Sequence, residues 1–305
     1  MTLYAFYGAL EQGFAFGLMV LGVYITFRVL DFPDLTVDGS LPLGASISAV
    51  AITSGHSPAL SLLYAAGAGF LAGVVTGVLN TKLKILHLLA SILTMISLYS
   101  INLRIMGRPN MSLLGEATLV QDFQHLLGIP SHLSTPLLFA LLCAVAVGVL
   151  AWFLHTEIGM TVLATGDNPR MITSQGVNTE TVIIFGVGLS NALVALSGAL
   201  IAQNQGSADV NMGVGTIVAG LASVIVGETV FGCRTIVRAL VAAVLGSVVY
   251  RLAIALALSL DLGGFHVTPS DLKLITAVLV VLALTAPRMK TALRARRAER
   301  NGGPA

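Results

Sequence analysis

The sequence predicts an all-α fold, a polytopic membrane helix bundle of about eight to ten spans. Three observations predict it. Of 305 residues, 56% are hydrophobic and only 10% are charged, against about a quarter charged in soluble domains. Mean hydropathy is +0.91. The 32 glycines suit close helix packing in lipid. A net charge of +2 gives a nucleic-acid partner no support. Cys143 and Cys233 lie in or beside apolar runs, without CxxC spacing or a metal-ligand cluster.

Residues 4–29 form a first span ending at Arg28. Glu11 and Gln12 stand where a signal peptide carries basic residues, so the segment is expected to stay as a span. Residues 31–44, DFPDLTVDGSLPLG, hold three acids, two prolines and two glycines. Such backbone is tolerated at membrane depth only when buried in protein or lining a water-filled cavity. The apolar run at 43–53 is too short to span, since about 20 residues are needed. The region 31–53 therefore reads as a broken helix.

Residues 58–80 span again. Ala65, Gly69, Gly73 and Gly77 recur every four residues, a ridge that lets another helix approach closely. In the span at 85–106, His87, Ser91, Thr94 and Asn102 fall near one face, with Leu98 in the same stripe. That face points to the bundle interior, a subunit interface or a pathway. Residues 107–135 are polar and hold an amphipathic helix, EATLVQDFQHLL. Leu119, Val120, Phe123, Leu126 and Leu127 form its apolar face, which suits an interfacial helix or a docking platform.

Residues 136–154 and 181–203 span, and between them lies the polar stretch 155–180. Asn168 suits an N-cap, Pro169 the first helical position and Gly176 a left-handed C-terminal stop. The helix at 169–175 is roughly 10 Å long at about 1.5 Å per residue. It is too short to cross a membrane or persist alone. It is either a capped loop helix or a lever that needs a partner surface. A second irregular segment, 203–215, precedes a short apolar run at 216–231, so 203–231 also reads as broken or short. A span at 235–258, a loop at 261–271 and a short final span at 272–286 complete a membrane domain over 1–286. The tail at 287–305 holds six basic residues against Glu299.

Basic residues near span ends mark the cytoplasmic side. Counting back from the arginine-rich tail places 155–180, Arg28, Lys82, Lys84, Arg234 and Arg238 inside. It places 107–135, 204–211 and the N-terminus outside, with Arg104 and Arg108 breaking the rule. The segments 38–50 and 211–224 echo each other, each setting irregular polar backbone before a small-residue run. Paired interruptions of this kind point to a transport pathway.

No catalytic constellation is present: GxSxG, HExxH, metal-ligand spacing and GxxxxGK[ST] are all missing. The chain is thus not expected to be an enzyme, and active transport would require a separate ATPase. Charges within spans cost roughly 2.5–3.5 kcal/mol each on insertion scales, so the few present carry information. Asp34 and Asp38 either line a pathway or accept backbone N–H groups as caps. Thr36, Ser91, Thr94, Asn191, Gln203 and Asn204 are the other pathway candidates. Glu228 is expected to form a structural ion pair with Arg234 or Arg238, and Arg251 to snorkel or pair.

The segment GDNPRMITSQGV (166–177) resembles the pattern G-x-N-x-x-A-A-x-x-x-G-[IV] of bacterial ABC importer permeases of the branched-chain amino acid and simple sugar class. Gly166, Asn168, Gly176 and Val177 match, while Met171 and Ile172 stand where the pattern has two alanines. FPDLTVDGS (32–40) and the GRPN turn (107–110) resemble the subgroup for tryptophan/tyrosine-type or uncharacterised substrates. The likeness covers nearly the whole chain. It implies a homodimer in the bacterial cytoplasmic (inner) membrane, two cytoplasmic ATPase subunits that bind ATP and Mg, and an external, periplasmic substrate-binding protein. No cofactor is implied in this chain. The resemblance further implies that Gly166, Asp167, Asn168, Pro169, Arg170, Met171, Ile172 and Gly176 couple the permease to the ATPase. ATP-driven alternating access would then move a small polar solute, such as an amino acid. A secondary transporter driven by an ion gradient is the alternative.

Overall fold

The computed structural model describes residues 3–128 and 130–259, with four further positions at 277, 278, 281 and 285. The loop expected at 261–271 and the tail at 287–305 lie outside the described residues, as does all but those four positions of the final span at 272–286. The described chain is helical apart from one short ribbon. Its helices are α1 (Leu3–Tyr24, continued by a π-helical turn Ile25–Val29), α2 (Val37–Thr53), α3 (Pro58–Thr81), α4 (His87–Met106), α5 (Leu119–Leu127) and α6 (Ser131–Leu154). They continue as α7 (Glu157–Asp167), α8 (Pro169–Ser174), α9 (Thr179–Gln205), α10 (Thr216–Phe231) and α11 (Ile236–Ser259). Strands β1 (Asn110–Ser112) and β2 (Ser207–Asp209) pair antiparallel, with Met111 opposite Ala208.

Six helices are long and apolar enough to cross a membrane: α1 with its π turn, α3, α4, α6, α9 and α11. The shorter apolar helices α2 and α10 are completed by neighbours. Helix α2 is enclosed by α3, α4 and α9, while α1 packs on α6, α9, α10 and α11. The predicted glycine ridge of α3 lies along α9. A Cβ on Gly69 would meet the Asn191 carbonyl, one on Gly73 the Val187 carbonyl, and one on Gly77 the Ile184 Cα. The stripe on α4 faces inward at Ser91, Thr94, Leu98 and Asn102, whereas His87 is exposed.

Two expectations need correction. The irregular stretch after α1 is shorter than residues 31–44, because α2 begins at Val37 and continues through Pro42. An interior proline costs about 3 kcal/mol in an exposed helix. Here α2 is wrapped in protein, and Gly213 packs against the Asp38 carbonyl that Pro42 deprives of its helical donor. The stretch 155–168, expected only as polar chain ahead of α8, is itself largely helical. It contains α7, capped by Thr156 Oγ1 accepting from Gly159 N at 3.2 Å. Its Gly159, Val162 and Thr165 are buried.

Contacts sort the connections into two faces. Lys82 and Lys84 both donate to Glu180, at 2.6 and 2.7 Å, and Gly166 touches the Val29 carbonyl. These groups share a face with α8. The ribbon, α5 and the end of α9 lie at the other, where Leu119 N donates to Gln203 Oε1 at 3.0 Å. This grouping is the one obtained by counting spans.

Candidate functional site

Two places concentrate the candidate residues: a buried crossing inside the bundle, and the face that carries α8.

At the crossing, the N-terminal ends of α2 and α10 meet. Helix α2 runs from there toward the ribbon face, where Gln203 Nε2 donates to Ser48 and Ser61, each at 3.0 Å. Helix α10 runs toward the α8 face. Asp38 joins the two ends. Its carboxylate accepts from Gly215 N and Ile217 N at 2.9 Å each and from Thr216 Oγ1 at 3.1 Å. It is a cap supplied from about 178 residues away, placed where the orphan N–H groups of α10 carry partial positive charge. Asp34 is fully buried. It accepts from Thr36 N at 2.9 Å and from Asn191 Nδ2 at 2.7 Å. Asn191 Oδ1 in turn accepts from Ser40 at 2.7 Å, and the Thr36 and Thr76 hydroxyls lie 2.9 Å apart. Both acids therefore serve as caps and turn acceptors. Asp38 also borders a cavity, between α2 and α4.

The remaining pathway candidates are dispersed. Ser91 and Thr94 bond back to the Leu88 and Ala90 carbonyls of their own helix. Gln203 lies at the ribbon end of α9, and Asn204 there donates to Glu11.

On the other face, Asn168 Oδ1 accepts from Met171 N at 3.1 Å, the predicted cap of α8. Gly176 has φ +87, the left-handed stop. Helix α8 presents Asn168, Pro169 and Arg170 outward, with Met171 47% exposed. Ile172 points the other way and is 5% exposed. Gly166 does not face outward in the same way: the last turn of α7 rests on the Val29 carbonyl, where a Cβ would collide. So α7 is seated on the end of α1, and α8 packs on α7 and α9.

The ion pair expected between Glu228 and Arg234 or Arg238 is replaced by another. Arg28 Nε and Nη2 grip Glu228 at 2.7 and 2.8 Å. Nearness along the chain was the wrong guide, because α10 ends beside the π turn of α1. Arg251 lies over the Phe16 ring at 3.7 Å, a cation–π contact. A double-mutant cycle between Arg28→Ala and Glu228→Ala, read by thermal unfolding in nanodiscs, should return a coupling of about 1 kcal/mol. The same cycle with Arg234→Ala should return none. Equal values would remove the assignment.

The family described as the permease component of the branched-chain amino acid transport system matches residues 6–285. The chain belongs to this family. It is a multi-pass membrane protein and a permease component. The permease is 42% identical over 286 residues to the tyrosine transport system permease protein of Clostridioides difficile, covering 93% of this chain and 92% of that one. It is 36% identical over 188 residues to the uncharacterized protein RP368 of Rickettsia prowazekii, covering 62% and 64%. It is 28% identical over 172 residues to the galactofuranose transporter permease protein YtfT of Escherichia coli, covering 53% of this chain and 46% of that one. No solved structure matches.

Sequence reasoning missed three working residues of the permease. Glu180, Lys82 and Lys84 clasp the start of α9 to the α3–α4 turn. The two lysines were visible only as topology marks, and nothing local linked them to an acid almost 100 residues away.

Proposed function

We propose that the permease is the transmembrane subunit of a binding-protein-dependent ABC importer, and that its cargo is an amino acid of the tyrosine type. Two copies would form the membrane unit. Two ATPase subunits holding ATP and Mg would bind the α8 face, which is then cytoplasmic, and a binding protein would dock at the ribbon face. The observation that carries this reading is a short, capped helix at Pro169–Ser174 that exposes Asn168, Arg170 and Met171 while α7 is braced on α1. A push on α8 passes through α7 to Val29 and through Glu180 to the α3–α4 turn. Closure of the ATPase pair would thereby rock the bundle and alternate access. Of the two residues that replace alanines of the family pattern, only Met171 faces the partner side. The groove that receives α8 therefore has to accommodate one larger side chain, not two.

The choice of tyrosine-type cargo is supported by the 42% identical relative, whose name states that substrate. The test is ATP-driven uptake of L-tyrosine into liposomes holding the permease, its ATPase and its binding protein. Asn168→Ala removes the α8 cap at a cost of about 1 kcal/mol of helix stability. It should lower uptake strongly while ATP hydrolysis continues and the bundle stays folded. Normal uptake by that variant would refute the lever. Uptake driven by a proton or sodium gradient without the ATPase would favour a secondary transporter.

A further inference from the structure

The outer side of α4 mixes polar residues with the exposed Leu93, Ile96 and Ile101. Ser97, Ser100 and Arg104 lie on it at helical spacing and are exposed, with Tyr99 beside them. Between α4, α2 and the segment after β2 lies a cavity of about 340 Å³, bordered by Asp38, Met95, Ile96, Tyr99, Asn102 and Val214. Small-molecule sites run from about 300 to 1,000 Å³. The walls are mainly apolar, and one wall group is unfinished. Asn102 is fully buried. Its Nδ2 donates to the Gly39 carbonyl at 3.3 Å, but its Oδ1 has no hydrogen-bond partner. Flipping the amide would set oxygen against oxygen at Gly39, so the orphan is the acceptor. Close by stands the Asp38 carboxylate, which borders the same cavity. An unmet acceptor near a carboxylate, in an apolar chamber with an aromatic ring, suits a cationic N–H donor on an apolar body.

We propose that this cavity is a transit site for an amine-bearing solute, whose ammonium donates to Asn102 Oδ1 while its apolar or aromatic body lies against Met95, Ile96 and Tyr99. The proposal rests on the import reading for its role, but occupancy of the site needs no ATP. A single directed hydrogen bond in an apolar chamber holds a solute long enough to orient it and lets it go, as passage requires.

The test is ligand-observed saturation-transfer NMR on the assembled importer in nanodiscs without nucleotide. The probes are L-tyrosine, tyramine and the deaminated 3-(4-hydroxyphenyl)propionate. The two amines should bind and the deaminated acid should not. Asn102→Leu should weaken amine binding about tenfold, as for loss of a hydrogen bond to a charged group. Asn102→Asp loses the bond to Gly39 as well but keeps an acceptor, so it should still bind amines. If both variants lose binding equally, Asn102 merely braces Gly39 and the proposal fails. It also fails if Asn102→Leu binds like the native chain, or if the deaminated acid binds as well as the amines. Ile96→Trp fills the cavity from its exposed side without touching the buried network and should abolish amine binding; unchanged binding overturns the site. An importer that binds amines at Asn102 yet shows no ATP-driven uptake would fault the import reading alone.

Discussion

Gly44→Val should severely destabilise the bundle. Helices α2 and α9 meet backbone to backbone. A Cβ on Gly44 would lie 2.6 Å from the Ala195 Cα and closer still to its carbonyl, and Gly198 abuts the Leu41 carbonyl in the same way. No rotamer change relieves a clash with main chain. The cost should reach about 3 kcal/mol or more, the upper end for overpacking, out of a total stability of about 5–15 kcal/mol. Gly148→Val in α6 is the control, since a Cβ there meets nothing within 4 Å. Size-exclusion profiles and thermal unfolding of the two variants decide the matter. A monodisperse Gly44→Val protein as stable as the control would disprove the claim.

Gly166→Val should leave the bundle folded and break transport. The added side chain would push the last turn of α7 off the Val29 carbonyl, lifting the lever from its seat without touching the surface that α8 offers a partner. Uptake should fall by about 5- to 150-fold, the range spanned by coupling energies of about 1–3 kcal/mol, while the ATPase still binds and hydrolyses. Loss of ATPase binding would instead make Gly166 part of the contact surface. The family pattern contains this glycine, and the structure gives it a reason distinct from that of Asn168. One seats the lever, and the other caps it.

Much of this architecture was legible from residues alone. The long spans follow from runs of apolar residues. The α3 ridge follows from a four-residue repeat of small residues, and α8 from the Asn-Pro start and glycine stop. The failures share a physical cause. Helix α7 mixes Ile158, Val162 and Leu163 with glycine and threonine. Its polarity stands out against the apolar neighbours more than its periodicity does. The continuation of α2 through Pro42 depends on the helices that enclose it. The Asp38 cap, the Arg28–Glu228 grip and the Glu180 clasp join groups 96 to 200 residues apart, which no local pattern records. The open acceptor on Asn102 becomes visible only once the Gly39 carbonyl is seen to occupy its other side.

The joining of α2 to α10 through Asp38 also bears on how the chain is made. Helix α2 carries an acid and a proline and is too short to cross a bilayer, so it is a poor candidate for insertion by itself. Asn191, the partner of Asp34, emerges 157 residues later, and the α10 amides that Asp38 caps emerge later again. At about 5–20 residues per second, that is a wait of roughly 8–30 s. During it, α3 and α4 are already synthesised while the segment between α1 and α3 lacks its permanent surroundings. Biogenesis of this protein therefore cannot proceed strictly span by span. The centre of the bundle must be held in a provisional place until the second half of the chain arrives, and variants that weaken α9 should be recognised by quality-control proteases before they ever reach a transport assay.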